Sequence, residues 1–536
     1  MGGNAIRLAC LAGLVSILLL AADNPAGPWR SSGNVTLRAD GDALFLASSG
    51  GEYGKCAQTV DLPEGGPNKW KVSFLARHEP GTRADATFSF SVNFSLAPGS
   101  PPARNPYWKI GAATNGPRPA RFYFEIPPGA RRMELCFQPQ GPIGGRFPAS
   151  AVEVRAFLLS EDALPAETLA LLSKPLTRSA KPKAWPTGGL RGFNMDHVVA
   201  PMSANSQNPG AFVSDATFQQ LAAWNVNVLR LWVSVDEGTP WARTKRGEAP
   251  PPIPADDPMA PYREHLRGLT VALHLAEKYG IQIILTVSDI VGRRIDVMYA
   301  AGDGGGFEKE LTRVWTVLAR EFGSHPNLLG FDLLNEPNGK EEARWTKETL
   351  PALVKTVRAI DTNTYLVIEP SPWALPWGFE SFRPITDAKV AYSLHHYMPH
   401  TYTHQGIGGY DKPEYRGKAY PGLLKKFPSD PPVYWGKAQL EETLRAAAAF
   451  QKASGAPMFV GEFSAARWAP GAAAWVRDSI ELFEKYGMDW VFHCYWGWNG
   501  WNPTFDADET PSNESDGGKL TDRMAVLLEA WAKNRR

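Results

Sequence analysis

From Gly189 onward the chain repeats one unit, a short continuous apolar run followed by a longer amphipathic one. The apolar runs are LRGFNM, NVNVLRLWV, IQIILTVSD, LLGFDLLNEP, YLVIEPS, VAYSLHHYM, PMFVGEFS and DWVFHCYW. Between most of them lie helical patterns such as EHLRGLTVALHLAEKYG, FEKELTRVWTVLAREFG and QLEETLRAAAAFQKASG. A strand that is apolar at every position needs cover on both faces, as in a parallel sheet wrapped by helices. Eight such units over 188–536 predict an α/β fold, a TIM (β/α)8 barrel with enlarged loops. A doubly wound open sheet is the alternative. It would carry a glycine-rich phosphate turn after its first strand, and LRGFNMDH holds one glycine.

The preceding part obeys another rhythm. NVTLRAD, WKVSFLAR, ATFSFSVNF, RFYFEIP, RMELCFQP and AVEVRAFLL alternate apolar with polar residues between Gly/Pro/Asn stretches. That pattern predicts an all-β, jelly-roll-like sandwich over 25–172. The stretch resembles the jelly-roll carbohydrate-binding modules of secreted polysaccharide enzymes, a resemblance that makes Trp70, Tyr107 and Trp108 candidate sugar platforms; core or interdomain packing is the alternative for each. The Pro/Lys/Gly-rich stretch 173–187 reads as a linker. Residues 1–22 pair one arginine with a short apolar run and end in Ala21-Ala22, the pattern of an export signal. The run is short for a membrane span. A secreted or periplasmic protein without stable membrane insertion is therefore expected.

A formal net charge of +1 supplies no phosphate-binding surface, so nucleic acid is not an expected partner. Four cysteines in 536 residues make no disulfide scaffold. Export would permit a bridge between Cys56 and Cys136. No Cys/His spacing resembles a zinc site, and the acidic stretch DADETPSNESDGG lacks the register of a calcium loop. No metal or cofactor is expected.

Active sites of TIM barrels lie where the strands end. There the apolar runs give way to Arg230, Asn335-Glu336, His395 with Tyr397, Glu462 and Trp496. Two glutamates, on the fourth and seventh runs, would face each other over a bound ligand. Breaking a glycosidic bond needs such a pair: one carboxyl to protonate the leaving oxygen, one carboxylate to meet the developing oxocarbenium.

LLNEPNG and MFVGEFSA, taken with LRGFNM, NVLRLWV, SLHHYMPHTYTHQG and YWGWN, resemble glycoside hydrolase family five, the cellulase-like retaining β-glycosidases. The resemblance spans most of Gly189 to Asn502. It implies Glu336 as general acid/base, Glu462 as nucleophile and Asn335 as partner of the sugar 2-hydroxyl. By the same resemblance Arg230 and Tyr397 hold the nucleophile, His395 supports the acid/base side and Trp496 forms the floor under the sugar. The family often places a histidine after its third strand, where this chain has Ser288 and Asp289; His197, after the first strand, is the candidate to fill that space. Trp373, Trp377, Trp435, Trp468, Trp498 and Trp501 are candidate outer sugar platforms. The expected ligand is a β-linked poly- or oligosaccharide, bound by a monomer. A non-catalytic sugar-binding protein on the same barrel and a transglycosylase are the competing readings.

Overall fold

The computed structural model describes Ile17–Leu18 and residues 29–535, except 41–42, 50–53, 63–68, 80–86, 100–106, 113–117, 128, 141–149, 162–163, 200–211, 237–240, 242–251, 289, 292–305, 338–341, 499 and 508–519. The chain forms two compact units, dividing after Leu164.

The first unit is two antiparallel sheets. One is six-stranded, in the order Val35–Asp40, Ala43–Ser48, Ser150–Glu161, Lys69–His78, Arg118–Glu125, with Ile17–Leu18 added to Ser150–Glu161. The other is five-stranded, in the order Arg30–Ser32, Lys55–Asp61, Ala130–Gln140, Thr87–Leu96, Tyr107–Ala112. Inward-facing Leu44, Val72, Phe74, Phe90, Phe137 and Val154 meet in one core, as alternation along a pleated strand requires. Trp70 belongs to that core at 5% exposure, so it is packing and not a sugar platform. The side chains of Tyr107 and Trp108 lie outside the described ones. Strand register also accounts for the cysteines. Cys56 pairs with Phe137 and shares its inward face, whereas Cys136 pairs with Ala57 and faces the other way. Both are buried free thiols.

The second unit is a closed parallel barrel of eight strands: β1 Arg191–Met195, β2 Val228–Val233, β3 Gln282–Val287, β4 Leu328–Asp332, β5 Tyr365–Ile368, β6 Val390–His396, β7 Met458–Phe463 and β8 Asp489–His493. Helices α1 Ala166–Leu172, α2 Asp215–Ala223, α3 Arg263–Tyr279, α4 Gly306–Phe322, α5 Leu350–Arg358, α6 Lys437–Ser454, α7 Ala472–Lys485 and α8 Asp522–Trp531 accompany it. Between β5 and β6 a 3-10 turn, Pro376–Glu380, replaces the helix. Phe379 of that turn and Tyr392 of β6 pack on Phe450 of α6, with ring centroids 4.8 and 4.7 Å away.

Each strand contributes one residue to the barrel floor, from the position just before its start to its third residue: Leu190, Val228, Ile284, Leu329, Val367, Ala391, Phe459 and Val491. Trp185 and Tyr365 pack against this layer. The stretch 173–187, expected as a linker, is a strap fastened to the barrel. Ser179 N–H donates to Ser324 O at 2.8 Å, Lys183 Nζ to Thr364 Oγ1 at 2.7 Å, and Trp185 Nε1 to Asp489 Oδ2 at 2.6 Å. Its proline and lysine content resembles that of a tether, but Trp185 anchors it in an apolar layer.

Candidate active site

Side chains at every second position after a floor residue turn into the barrel. Val228 is followed by Arg230 and Trp232, Val367 by Glu369, Ala391 by Ser393 and His395, and Val491 by His493. β7 breaks the alternation. Its pairing with β6 runs from Leu394–Val460 to His395–Glu462, skipping Gly461. Such a bulge re-aims a side chain, and here it turns Glu462 inward. A Cβ on Gly461 would come within 2.6 Å of Ser393 Oγ and 3.2 Å of His395 Nε2. The interior at that level is already filled.

Arg230, fully buried, is the hub. Its Nε donates to Asp332 Oδ2 at 2.8 Å and Nη1 to Glu462 Oε1 at 3.1 Å. Its Nη2 donates to Asn335 Oδ1 at 2.7 Å and Glu369 Oε1 at 2.8 Å. One guanidinium does not neutralise three buried carboxylates, so protons settle the balance. Burial, with Glu369 alongside, pushes Asp332 well above the usual carboxylate range in spite of Arg230. Burial also works against the charge of Glu369, but His395 and Arg230 more than offset it and hold that carboxyl down. At Glu462 burial is overcome by His395, His493 and Arg230, together with Tyr397, whose OH donates to Oε2 at 2.8 Å; the carboxyl is held at about 2.

Glu336 lies beyond β4, with its backbone in the left-handed region at φ 51°. A non-glycine residue is held there at a cost of about 1–3 kcal/mol. Glu369 Oε2 fixes it by accepting from the Glu336 N–H at 2.6 Å. The Glu336 carboxyl meets His395 Nδ1 at 2.8 Å, and His395 Nε2 meets Glu369 Oε1 at 3.0 Å. Burial raises the Glu336 carboxyl, the charges of Glu462 and Glu369 add to the effect, and His395 opposes it without reversing it. Burial disfavours a charged His395, but Glu369, Glu462 and the two hydrogen bonds raise it well above the usual histidine range. Arg230 and His395 thus favour the charged forms of Glu369 and Glu462, whereas Asp332 and Glu336 are shifted toward their protonated forms. One oxygen of Glu336, one of Glu462 and a ring nitrogen of His395 lie within 4.8 Å of one another.

A half-buried carboxyl with a raised pKa and a buried carboxylate therefore face each other at the strand ends of an eight-stranded barrel. The model of the family described as cellulase, glycosyl hydrolase family 5, matches residues 187–500. The chain belongs to glycosyl hydrolase family 5. It is a glycoside hydrolase. Endoglucanase C of Acetivibrio thermocellus is 25% identical over 258 residues, covering 44% of this chain and 75% of that protein. Mannan endo-1,4-beta-mannosidase 4 of Solanum lycopersicum is 24% identical over 320 residues, covering 52% of this chain and 69% of the relative. Among solved structures, Thermotoga maritima Cel5A in complex with cellobiose has a TM-score of 0.47 at 19% identity, over 63% of this chain and 97% of that one.

In this family 5 site the structure brings together six of the residues expected from sequence: Arg230, Asn335, Glu336, His395, Tyr397 and Glu462. Among the described residues, the other three make no hydrogen bond to the carboxylate cluster. His197 is half-buried after β1; burial and then His265 lower it to about 3. Trp496 lies three residues beyond β8, and the β8 side chain beside Glu462 is His493, with Nδ1 3.7 Å from Oε2. His493 packs against Trp232, ring centroids 5.8 Å apart. Trp373 stands at the rim, 42% exposed, its N–H donating to Pro337 O at 2.8 Å. Of the further tryptophans, Trp435 and Trp501 are buried and Trp498 is 43% exposed. Ser288 is buried after β3, while Asp289 and most of the acidic stretch 506–518 lie outside the described residues.

Glu369, Asp332, Asn194 and His493 were not singled out from sequence. Asn194 Nδ2 donates to Gly461 O at 3.1 Å, steadying the bulge. The signal for Glu369 was present: IEP ends β5 as NEP ends the segment after β4.

Proposed function

We propose that this family 5 enzyme hydrolyses β-linked glucan or mannan with retention of configuration, through a covalent glycosyl-enzyme. One observation carries the reading: carboxylate oxygens of Glu336 and Glu462 lie within 4.8 Å of each other. That spacing suits retaining enzymes, whose carboxyl groups sit about 5–5.5 Å apart, and leaves no room for the water an inverting enzyme places between sugar and base. Glu462 is held ionised and attacks the anomeric carbon. Glu336 is held protonated and gives its proton to the leaving oxygen; as a carboxylate it then takes a proton from the water that releases the sugar. Arg230 and Tyr397 hold the nucleophile's two oxygens. Asn335, its carbonyl committed to Arg230, offers its amide N–H groups to the sugar 2-hydroxyl. Glucan and mannan follow from the names of the relatives, an endoglucanase and a mannan endo-1,4-beta-mannosidase. Trp373, next to the acid/base loop, serves the leaving-group side, and His197 and Trp496 contribute to the outer cleft. Every group named comes from a single chain, and we take the working form to be a secreted or periplasmic monomer.

The test is proton NMR of the first product from a β-linked oligosaccharide. The β-anomer appearing first supports retention, and the α-anomer appearing first overturns it. A sugar acceptor in the same assay reveals any transglycosylation as a longer product.

A further inference from the structure

The loops after β1 and β8 bring an aspartate, a histidine and a cysteine together beside Glu462, outside the proton chemistry above. Asp196, His493 and Cys494 each present a ligand atom, and the three atoms lie within 4.8 Å of one another. The residues are 8%, 6% and 0% exposed. Asp196 Oδ1 and His493 Nδ1 are buried and make no hydrogen bond among the described residues, although they face each other at 3.5 Å. Native interiors leave few such atoms unmatched. Gly497 lets the backbone pack against the group: a Cβ there would come within 2.4 Å of both Asp196 Oδ2 and Cys494 Sγ.

The separations fit a metal ion. A tetrahedral zinc with bonds of about 2.0–2.3 Å sets its ligand atoms roughly 3.3–3.8 Å apart. His493 Nδ1 stands 3.5 Å from Asp196 Oδ1 and 3.7 Å from Glu462 Oε2. Sulfur, imidazole nitrogen and carboxylate oxygen are a donor set for zinc and unlike the all-oxygen shells of calcium or magnesium. A second grouping, Glu336, His395 and Glu462, is equally compact. There both imidazole nitrogens are already bound to carboxylates, at 2.8 and 3.0 Å, and none is left for a metal.

We propose that Asp196, His493 and Cys494 form a zinc-binding site whose fourth ligand is Glu462 Oε2, so that the ion inhibits the enzyme by capturing its nucleophile. On binding, the Cys494 thiol releases its proton to solvent and His493 coordinates through a neutral Nδ1. No electron transfer is involved. The inhibition, though not the site, rests on the reading of Glu462 as nucleophile.

The experiment uses the full chain stripped of metal by a chelator. Cobalt(II) titration, read by the near-ultraviolet thiolate-to-cobalt absorption, is expected to saturate at one ion per chain. Zinc titration of hydrolysis is expected to remove activity with the same stoichiometry, and chelator to restore it. Cys494→Ser is expected to keep its metal-free activity, lose the thiolate band and need at least about tenfold more zinc for inhibition. Asp196→Asn, nearly isosteric, gives the zinc readout should Cys494→Ser fail to fold. No thiolate band in the wild type, or inhibition of Cys494→Ser at the wild-type concentration, overturns the site. A thiolate band without loss of activity overturns the capture of Glu462, leaving the catalytic pair to be judged from Glu462→Gln.

Discussion

The wall of the mouth built by β4 and β5 and the wall built by β7 hold the same side chain in different company. Both glutamates are close to His395, and desolvation works against the charge of each. On the β4–β5 side, His395 is the one group that draws the Glu336 carboxyl down, and burial with the charges of Glu462 and Glu369 outweighs it, so the carboxyl is raised. On the β7 side, Glu462 has Arg230 on one oxygen and Tyr397 on the other, with two imidazoles facing it, so its proton leaves. The division of labour between two identical residues thus lies in the count of cations and donors around each. Burial alone would have made both of them acids.

The sharpest way to break the comparison is to remove each glutamate and change the leaving group. Glu462→Gln is expected to lower kcat about a thousandfold or more on every substrate, because no other group forms the glycosyl-enzyme. Glu336→Gln should lose about 10²–10⁴-fold on a natural glycan. On an aryl glycoside with an acidic phenol it should regain most of the glycosylation rate, because that leaving group departs without a proton. Burst kinetics on the two substrates checks this. Equal losses for both variants on the aryl glycoside would mean that the assignments of acid and nucleophile are wrong.

Glu369 tests why the two sides differ. It holds the Glu336 backbone N–H, His395 Nε2 and Arg230 Nη2 at once. In the proposed mechanism activity requires Glu336 protonated and Glu462 ionised, so the alkaline limb is expected to follow Glu336 and the acidic limb Glu462. Because the charge of Glu369 raises Glu336, Glu369→Gln should weaken the acid's hold on its proton and move the alkaline limb to lower pH. Loss of the backbone anchor should also lower kcat about ten- to a hundredfold, the scale of a misplaced catalytic group. A fall in kcat with an unmoved alkaline limb would make Glu369 a purely structural brace.

How much of this was readable beforehand follows from register. The eight apolar runs are the eight barrel strands, because strands covered on both faces need apolar residues throughout. The two glutamates proposed as the catalytic pair stand out in the sequence because a charge at the end of such a run is costly unless it is used or paired. Glu369 and His493 were equally readable in principle, two residues past the floor positions Val367 and Val491. They were passed over because a floor position is known only after the ring has closed. Glu462 shows the opposite limit: Gly461 holds the inward position, and only the bulge turns the glutamate in. Composition does not disclose the strap 173–187, because it records proline and lysine content and not the contacts of Ser179, Lys183 and Trp185 that fasten it.

The mildest expected effect lies at the rim. Trp373 has its backbone N–H on Pro337 O, one residue from the acid/base, while its ring is largely exposed. A ring there has nothing to hold unless a sugar residue of the leaving group stacks on it. Trp373→Ala should raise KM severalfold on long oligosaccharides, the fold-change of an aromatic contact of about 0.5–1.5 kcal/mol. It should leave kcat and both pH limbs in place, since no charge around either glutamate changes. On an aryl monosaccharide, which has no sugar beyond the cleaved bond, the variant should match the wild type. A shifted pH profile would show that the rim loop also positions Glu336, tying the outer platform to the β4–β5 wall. An equal KM rise on the short substrate would place Trp373 on the other side of the cleaved bond.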